Sequence, residues 1–162
     1  MSPTQRTSDR LWRWMRRLNR GIAARYGKVG PPPTLVLLLT TVGRKSGQPH
    51  TTPLQYEEIN GVCYVGSARG ARADWFRNLL AHPRVLVQVG ERTFEADAEP
   101  ILDPARIANS FELRLRRHPR MIALIMRAEG LPADHTRADL EAFAAGKAMV
   151  ALRPVRAGNG PG

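Results

Sequence analysis

The stretch "TLVLLLTTVGRKSGQPHTTPLQYEEINGVCYVGS", Thr34 to Ser67, decides the fold. Its first eight residues are apolar and β-prone, which predicts a strand buried on both faces. "VGRKSG" is turn chemistry. "HTTPLQYEE" resumes as an extended segment, and Pro53 inside it places that segment at a sheet edge or a bulge. Asn60-Gly61 is a strong two-residue hairpin signal, and the strand Val62–Ser67 follows it. Three strands joined by tight turns imply antiparallel pairing, which suggests a small β-barrel rather than a doubly wound sheet.

The rest of the chain extends this reading. "GARADWFRNLLAHP" predicts a short helix, about Ala73 to Ala81, ended by Pro83. "RVLVQVGERTFEADAEP" reads as two strands around Gly90-Glu91. Asp103 as N-cap and Pro104 at the first helical position open a helix to about Arg117. Further helices are expected over Pro119–Glu129 and Arg137–Ala145, and "AMVALRPV" returns as a last strand. The expectation is an α+β chain with about six mostly antiparallel strands and peripheral helices. No G-x-G-x-x-G segment follows a strand, so a Rossmann site is not supported, and "GRKSG" lacks the Walker A spacing.

Upstream, Ser8 caps a helix expected to run to about Tyr26. Leu11, Trp12, Met15, Leu18, Ile22 and Tyr26 share one face, and five arginines mostly occupy the rest. Such a basic amphipathic helix packs on its own domain, lies on an anionic membrane surface, or serves as a targeting peptide. Gly27, Gly30 and Pro31–Pro33 then form a stiff connector. The organisation expected is residues 1–33 as helix and connector, 34–156 as the globular domain, and 157–162 as a disordered tail.

Twenty-five Lys and Arg against 14 Asp and Glu give a net charge of +11. That excess predicts attraction to a polyanion: nucleic acid, an anionic membrane or a highly charged cofactor. The chain has no recognised nucleic-acid motif, so nucleic acid is not expected as a partner. The single cysteine, Cys63, lies in an apolar run and reads as a buried small hydrophobe. No metal-ligand spacing occurs, so no metal site is expected. The first 21 residues lack an unbroken apolar core, which argues against a secretory signal, and no apolar run is long enough to span a bilayer. A cytoplasmic location is expected, peripheral at the inner membrane face if the first helix binds lipid.

The basic turn carries the clearest chemistry. Gly43 and Gly47 free the backbone to present N–H groups. Arg44 and Lys45 add charge, and Ser46 a hydroxyl. Together these form a concavity suited to an anion. The same residues also suit a solvated basic hairpin.

"LLLTTVGRKSGQPHTTPL" followed by "YVGSARGARADWFRNLLAHPRVLVQVG" closely resembles the deazaflavin-dependent nitroreductase family, within the split β-barrel (FMN-binding-like) group of flavin-type oxidoreductases. The resemblance covers about Thr34 to Gly90, with the same motif order and nearly the same spacing. It implies a split β-barrel and coenzyme F-420, a deazaflavin with a phosphodiester and a polyglutamate tail. It further implies that Arg44, Lys45, Ser46 and Gly47 hold the phosphate and tail carboxylates. His50 stands where many members carry arginine. Thr51, Thr52, Pro53 and Leu54 would form the wall against which the ring lies. Ser67, Ala68, Arg69 and Gly70 would pass the phosphate or ring edge. Trp75, with Phe76 beside it, would cover the cofactor or pack the core, and Asn78 would bond the cofactor or fix the loop. Gln55 and Tyr56 are the substrate-side candidates. Hydride transfer from such a ring needs positioning and exclusion of water more than acid–base groups.

Two departures bear on the acceptor. The best-known members line the pocket with tyrosines near the C-terminus, whereas His118–Pro132 has none. Met121, Ile122, Leu124, Ile125 and Met126 would make an apolar, adaptable wall instead. Gln55 also replaces a usual tyrosine. The activity implied is hydride transfer from reduced coenzyme F-420 to a hydrophobic acceptor such as a quinone, nitroarene or enone. The alternatives are a split barrel that holds FMN, FAD or haem as a carrier, and a salt-sensitive membrane or nucleic-acid binder. Small split barrels often dimerise, so a homodimer is a further expectation.

Overall fold

We describe the protein from a computed structural model, which covers residues 36–67 and 69–155. The helix and connector expected over residues 1–33, Ala68 and the tail expected over 157–162 lie outside the described residues. Six strands form a closed antiparallel barrel: β1 (Val36–Val42), β2 (Pro49–Ile59), β3 (Val62–Ser67), β4 (Arg84–Val89), β5 (Arg92–Ile101) and β6 (Ala148–Pro154). Their order around the barrel is β1-β2-β3-β6-β5-β4. Helix α1 (Asp74–Ala81) follows β3 after a 3-10 turn at Gly70–Arg72. Helices α2 (Pro104–Arg117), α3 (Pro119–Ala128) and α4 (Arg137–Ala144) lie between β5 and β6 in the chain.

Local chemistry accounts for the connections. Asn60 and Gly61 both take positive φ, 51° and 79°, which a type I′ hairpin requires. The Asp103 carboxylate accepts from the Ala105 N–H at 3.1 Å and starts α2. Thr136 and Asp139 form a reciprocal capping box at the head of α4.

Two apolar cores share one wall. The barrel interior holds Leu37, Leu39, Cys63, Val65, Val85, Val87, Val150 and Leu152, and Trp75, Phe76 and Leu79 of α1 join it. A second core forms outside the barrel, where Ile107, Phe111, Ile122, Met126 and Leu140 meet Ile101, Met149 and Ala151. Strand β6 faces both. Val150 and Leu152 point into the barrel, while Met149 and Ala151 point to the helices. This is the strand period of two serving two cores, and it explains why "AMVAL" is uniformly buried.

The barrel is complete at one end and parted at the other. Residues 49–55 of β2 pair with β1, whereas β3 takes up β2 only from Tyr56 to Ile59. Gly66 and Ser67 of β3 pair with β6 instead. The other edge of β2 from Pro49 to Gln55 is therefore unpaired within the described sheet. Pro53 sits on that half, opposite Leu38, so its missing N–H costs the sheet little.

Candidate functional site

The basic turn is built first by its own backbone. The Gly43 N–H donates to the Gln48 carbonyl at 2.7 Å, and the Gly47 N–H to the Gly43 carbonyl at 2.8 Å. Gly47 takes φ +67°, a left-handed conformation open to glycine. A side chain at Gly43 would displace the exposed Ser46 hydroxyl and His50 ring and crowd the Gln48 carbonyl.

Helix α1 then ties this turn down. The Asn78 Oδ1 accepts from the Arg44 backbone N–H at 3.2 Å and from Arg44 Nη1 at 2.9 Å. Asn78 Nδ2 donates to Thr41 Oγ1 at 3.3 Å. Arg44 Nη2 reaches the Asp74 carboxylate at 3.1 Å. Asn78 is 4% exposed, so its side chain is spent on holding the loop. The Arg44 charge is likewise engaged by the protein itself. Lys45, Ser46 and His50 remain exposed, with Ser46 Oγ 3.4 Å from His50 Nε2.

The unpaired edge of β2 leads away from this turn. Thr51 and Thr52 are half-buried, and Thr51 Oγ1 lies 2.8 Å from Thr40 Oγ1. Leu54 and Tyr56 lean on the barrel core. Burial raises the Tyr56 hydroxyl pKa, with smaller contributions from Cys63 and Glu58. Tyr56 thus faces the barrel, while Gln55, its neighbour, faces outward into a cavity of about 140 Å³.

That cavity opens where β2 and β3 part. Gln55, Ser67, Phe111, Ile122, Ile125 and Met126 line it. Met121 and Leu124, expected in the same wall, are 44% and 69% exposed and point to solvent. Their helical phase differs from that of Ile122, Ile125 and Met126, so a single face of α3 supplies the wall. The buried Ser67 hydroxyl donates to the Gly70 carbonyl at 2.8 Å. Gly70 takes φ +61°, and a side chain there would strike the Gly146 carbonyl. The loop after β3 is thereby locked against the segment leading into β6. Arg69 is exposed beside it.

Trp75 and Phe76 pack as core. Phe76 is fully buried and Trp75 is 9% exposed, their rings 5.9 Å apart edge to face. Phe76 presents no surface to a ligand, and its place in the barrel follows from its helical phase with Leu79. Ala68 is outside the described residues.

Sequence reasoning missed the charged lining of the cavity. Arg114 and Lys147 reach it, as do Glu57 and Glu129. Lys147 pairs with Glu129 at 2.9 Å and stacks over Phe143 at 4.4 Å. Glu57 pairs with Arg117 at 3.2 Å. Arg114 has a buried Nε with no hydrogen-bond partner. Burial lowers its pKa, and the fields of Glu57 and Glu129 partly oppose that shift. It remains a cation at neutral pH. The spacing Ile107–Phe111–Arg114 puts Arg114 on the buried face of α2, a signal hidden within the run "RLRRHPR".

The donors present suit a long anionic ligand with a flat ring. Exposed Lys45 and Ser46 stand at one end of a strand edge unpaired within the described sheet, and a partly open cavity with an apolar wall and charged groups stands at the other. Residues 49–55 span roughly 20 Å at strand rise, enough to separate a charged tail from a reacting ring.

A sequence model described as F420H(2)-dependent quinone reductase matches residues 9–124. Curated relatives of that name occur in Mycobacterium tuberculosis, 36% identical over 87 residues. The match spans 51% of this chain and 57% of the relative. Among solved structures, a conserved hypothetical protein of Mycobacterium tuberculosis aligns with TM-score 0.54 and 21% identity, covering 75% of this chain and 74% of that one. The heme storage protein HutZ of Vibrio cholerae aligns with TM-score 0.53 and 16% identity, covering 76% of this chain and 83% of that one. At such identities the likeness carries the split-barrel fold alone, and the fold does not choose between ligands.

Proposed function

The chain belongs to the F420H(2)-dependent quinone reductase family, and from that premise we propose that it is a deazaflavin-dependent oxidoreductase that reduces a quinone. The observation that carries the reading is the free edge of β2, which joins the basic turn to the cavity. Lys45, Ser46 and the turn N–H groups bind the anionic tail of coenzyme F-420. Arg44 contributes by shaping the turn, since Asp74 and Asn78 already hold its guanidinium. The backbone of Thr51–Leu54 offers donors and acceptors to the ring. When bound, the reduced coenzyme supplies a hydride, and a quinone that takes it up with one proton leaves as the hydroquinone. Gln55 orients the acceptor, and Ile122, Ile125 and Met126 exclude water from it.

A homodimer and a cytoplasmic location are part of this proposal. No described helix is long and apolar enough to cross a membrane.

The test is a fluorescence titration with the coenzyme, followed by turnover of its reduced form against quinones, nitroarenes and enones. The expected result is micromolar or tighter binding and fastest turnover with quinones. An absence of binding at that concentration rejects the proposal, and a protein purified with bound yellow flavin or a Soret band replaces it by a flavin- or haem-carrier reading.

A further inference from the structure

The cavity between β2, β3, α2 and α3 is lined by two carboxylates and two cations, yet it holds one buried donor that neither the fold nor the coenzyme explains. Glu57 is paired with Arg117 and Glu129 with Lys147. Arg114 is the cation left over: among the described residues it forms no ion pair, and its Nε is buried without a partner. Leaving a guanidinium N–H buried and unpaired is costly, because the group has given up water and received nothing in return. Around it, Phe111, Ile122, Ile125 and Met126 supply an apolar wall. A site that combines one unmatched, planar cation with an apolar wall is complementary to an apolar ring bearing one anionic oxygen group. Arginine favours carboxylates or similar two-oxygen anions, which it can meet with two parallel hydrogen bonds.

We propose that the cavity selects acceptors bearing an acidic substituent, a carboxylate on a quinone ring being the simplest case, and that Arg114 is the residue that selects them. The proposal rests on the cavity being the acceptor site, and it specifies the class of acceptor. Arg114 binds the substituent and leaves the reacting carbonyl to Gln55 and the coenzyme. Neutral quinones enter the same cavity but leave the guanidinium unpaired, so they bind less tightly.

The experiment compares two probes on the full-length protein without coenzyme: a naphthoquinone carrying a ring carboxylate, and its neutral carboxamide. Calorimetry measures both affinities. The wild type is expected to bind the carboxylate roughly tenfold tighter or more, the scale of a charge-assisted hydrogen bond in a partly buried site. Arg114→Met is expected to level the two affinities while leaving carboxamide binding within about twofold, since the apolar wall is intact. Equal affinities in the wild type overturn the proposal without recourse to any variant, which covers the case in which Arg114→Met does not fold. A preference that survives Arg114→Met but vanishes in Lys147→Met also overturns it, by assigning the contact to Lys147. Failure of the coenzyme to bind in its own titration would reject the oxidoreductase reading, yet leave the carboxylate comparison standing.

Discussion

The two ends of the β2 edge treat their arginines in opposite ways. At the basic turn, Arg44 is answered on every side: Asn78 and Asp74 accept from it, and α1 is held to β1 as a result. In the cavity, Arg114 has no partner for its Nε among the described residues, although two carboxylates lie nearby, each paired with another cation. A cation whose hydrogen bonds are complete supports the scaffold. One whose hydrogen bonds are incomplete has bonding capacity that the scaffold does not use. The motif that looks most like a ligand site in sequence therefore devotes its first arginine to architecture, while the less conspicuous helix carries the open one.

The largest expected effect breaks the satisfied end. Asn78→Ala strips the Arg44 N–H and guanidinium of an acceptor and Thr41 of a donor at a buried position, and should cost roughly 3 kcal/mol by chemical denaturation. A loss near zero would mean that water replaces the amide and that the turn is not stapled by α1. Next comes the division of labour between Arg44 and Lys45. Lys45→Ala should leave the melting temperature unchanged and weaken coenzyme binding by about tenfold, with a shallower salt dependence. Arg44→Ala should lower both stability and affinity. Equal melting temperatures for the two variants would mean that Arg44 does no more for the scaffold than Lys45. A smaller effect is expected for Asp74→Ala. Its carboxylate is 84% exposed, so its pair with Arg44 should contribute less than about 1 kcal/mol. The least effect concerns the barrel between the two ends. Burial pushes the Cys63 thiol up to about 11 from an ordinary value of 9.0, with Glu58 adding to the shift. The folded thiol keeps its proton longer than the unfolded one. Its contribution to stability is thus fully present below pH 9.0 and is lost as pH rises through about 11. At neutral pH, iodoacetamide should leave native Cys63 unmodified and label it only after unfolding.

Much of the scaffold was legible because its signals are local. The Asn60-Gly61 hairpin, the Asp103 cap with Pro104, and the helix limits near Arg117 and Ala144 each depend on residues within one turn of chain. Pro53 marked an edge because proline lacks the N–H that an interior strand must donate. The role of Asn78 was left open between ligand and loop, since an amide serves both equally well and only the position of Arg44 decides. Gln55 and Tyr56 were paired as candidates, yet strand alternation sends them to opposite faces, and which face holds the cavity depends on where α2 and α3 pack.

By itself the sequence determined the strands and helices of residues 36–155, the basic turn, and the family to which the chain belongs. These rest on backbone preferences and short motifs, which act within a few residues. Only the tertiary structure decided that the barrel parts between β2 and β3, that β6 walls two cores, and that the Arg114 Nε is buried without a partner among the described residues. Such outcomes depend on pairings between residues tens of positions apart: Glu57 with Arg117, Glu129 with Lys147, Arg44 with Asn78. A charge is free or engaged only relative to its neighbours in space, and no spacing along the chain records that relation.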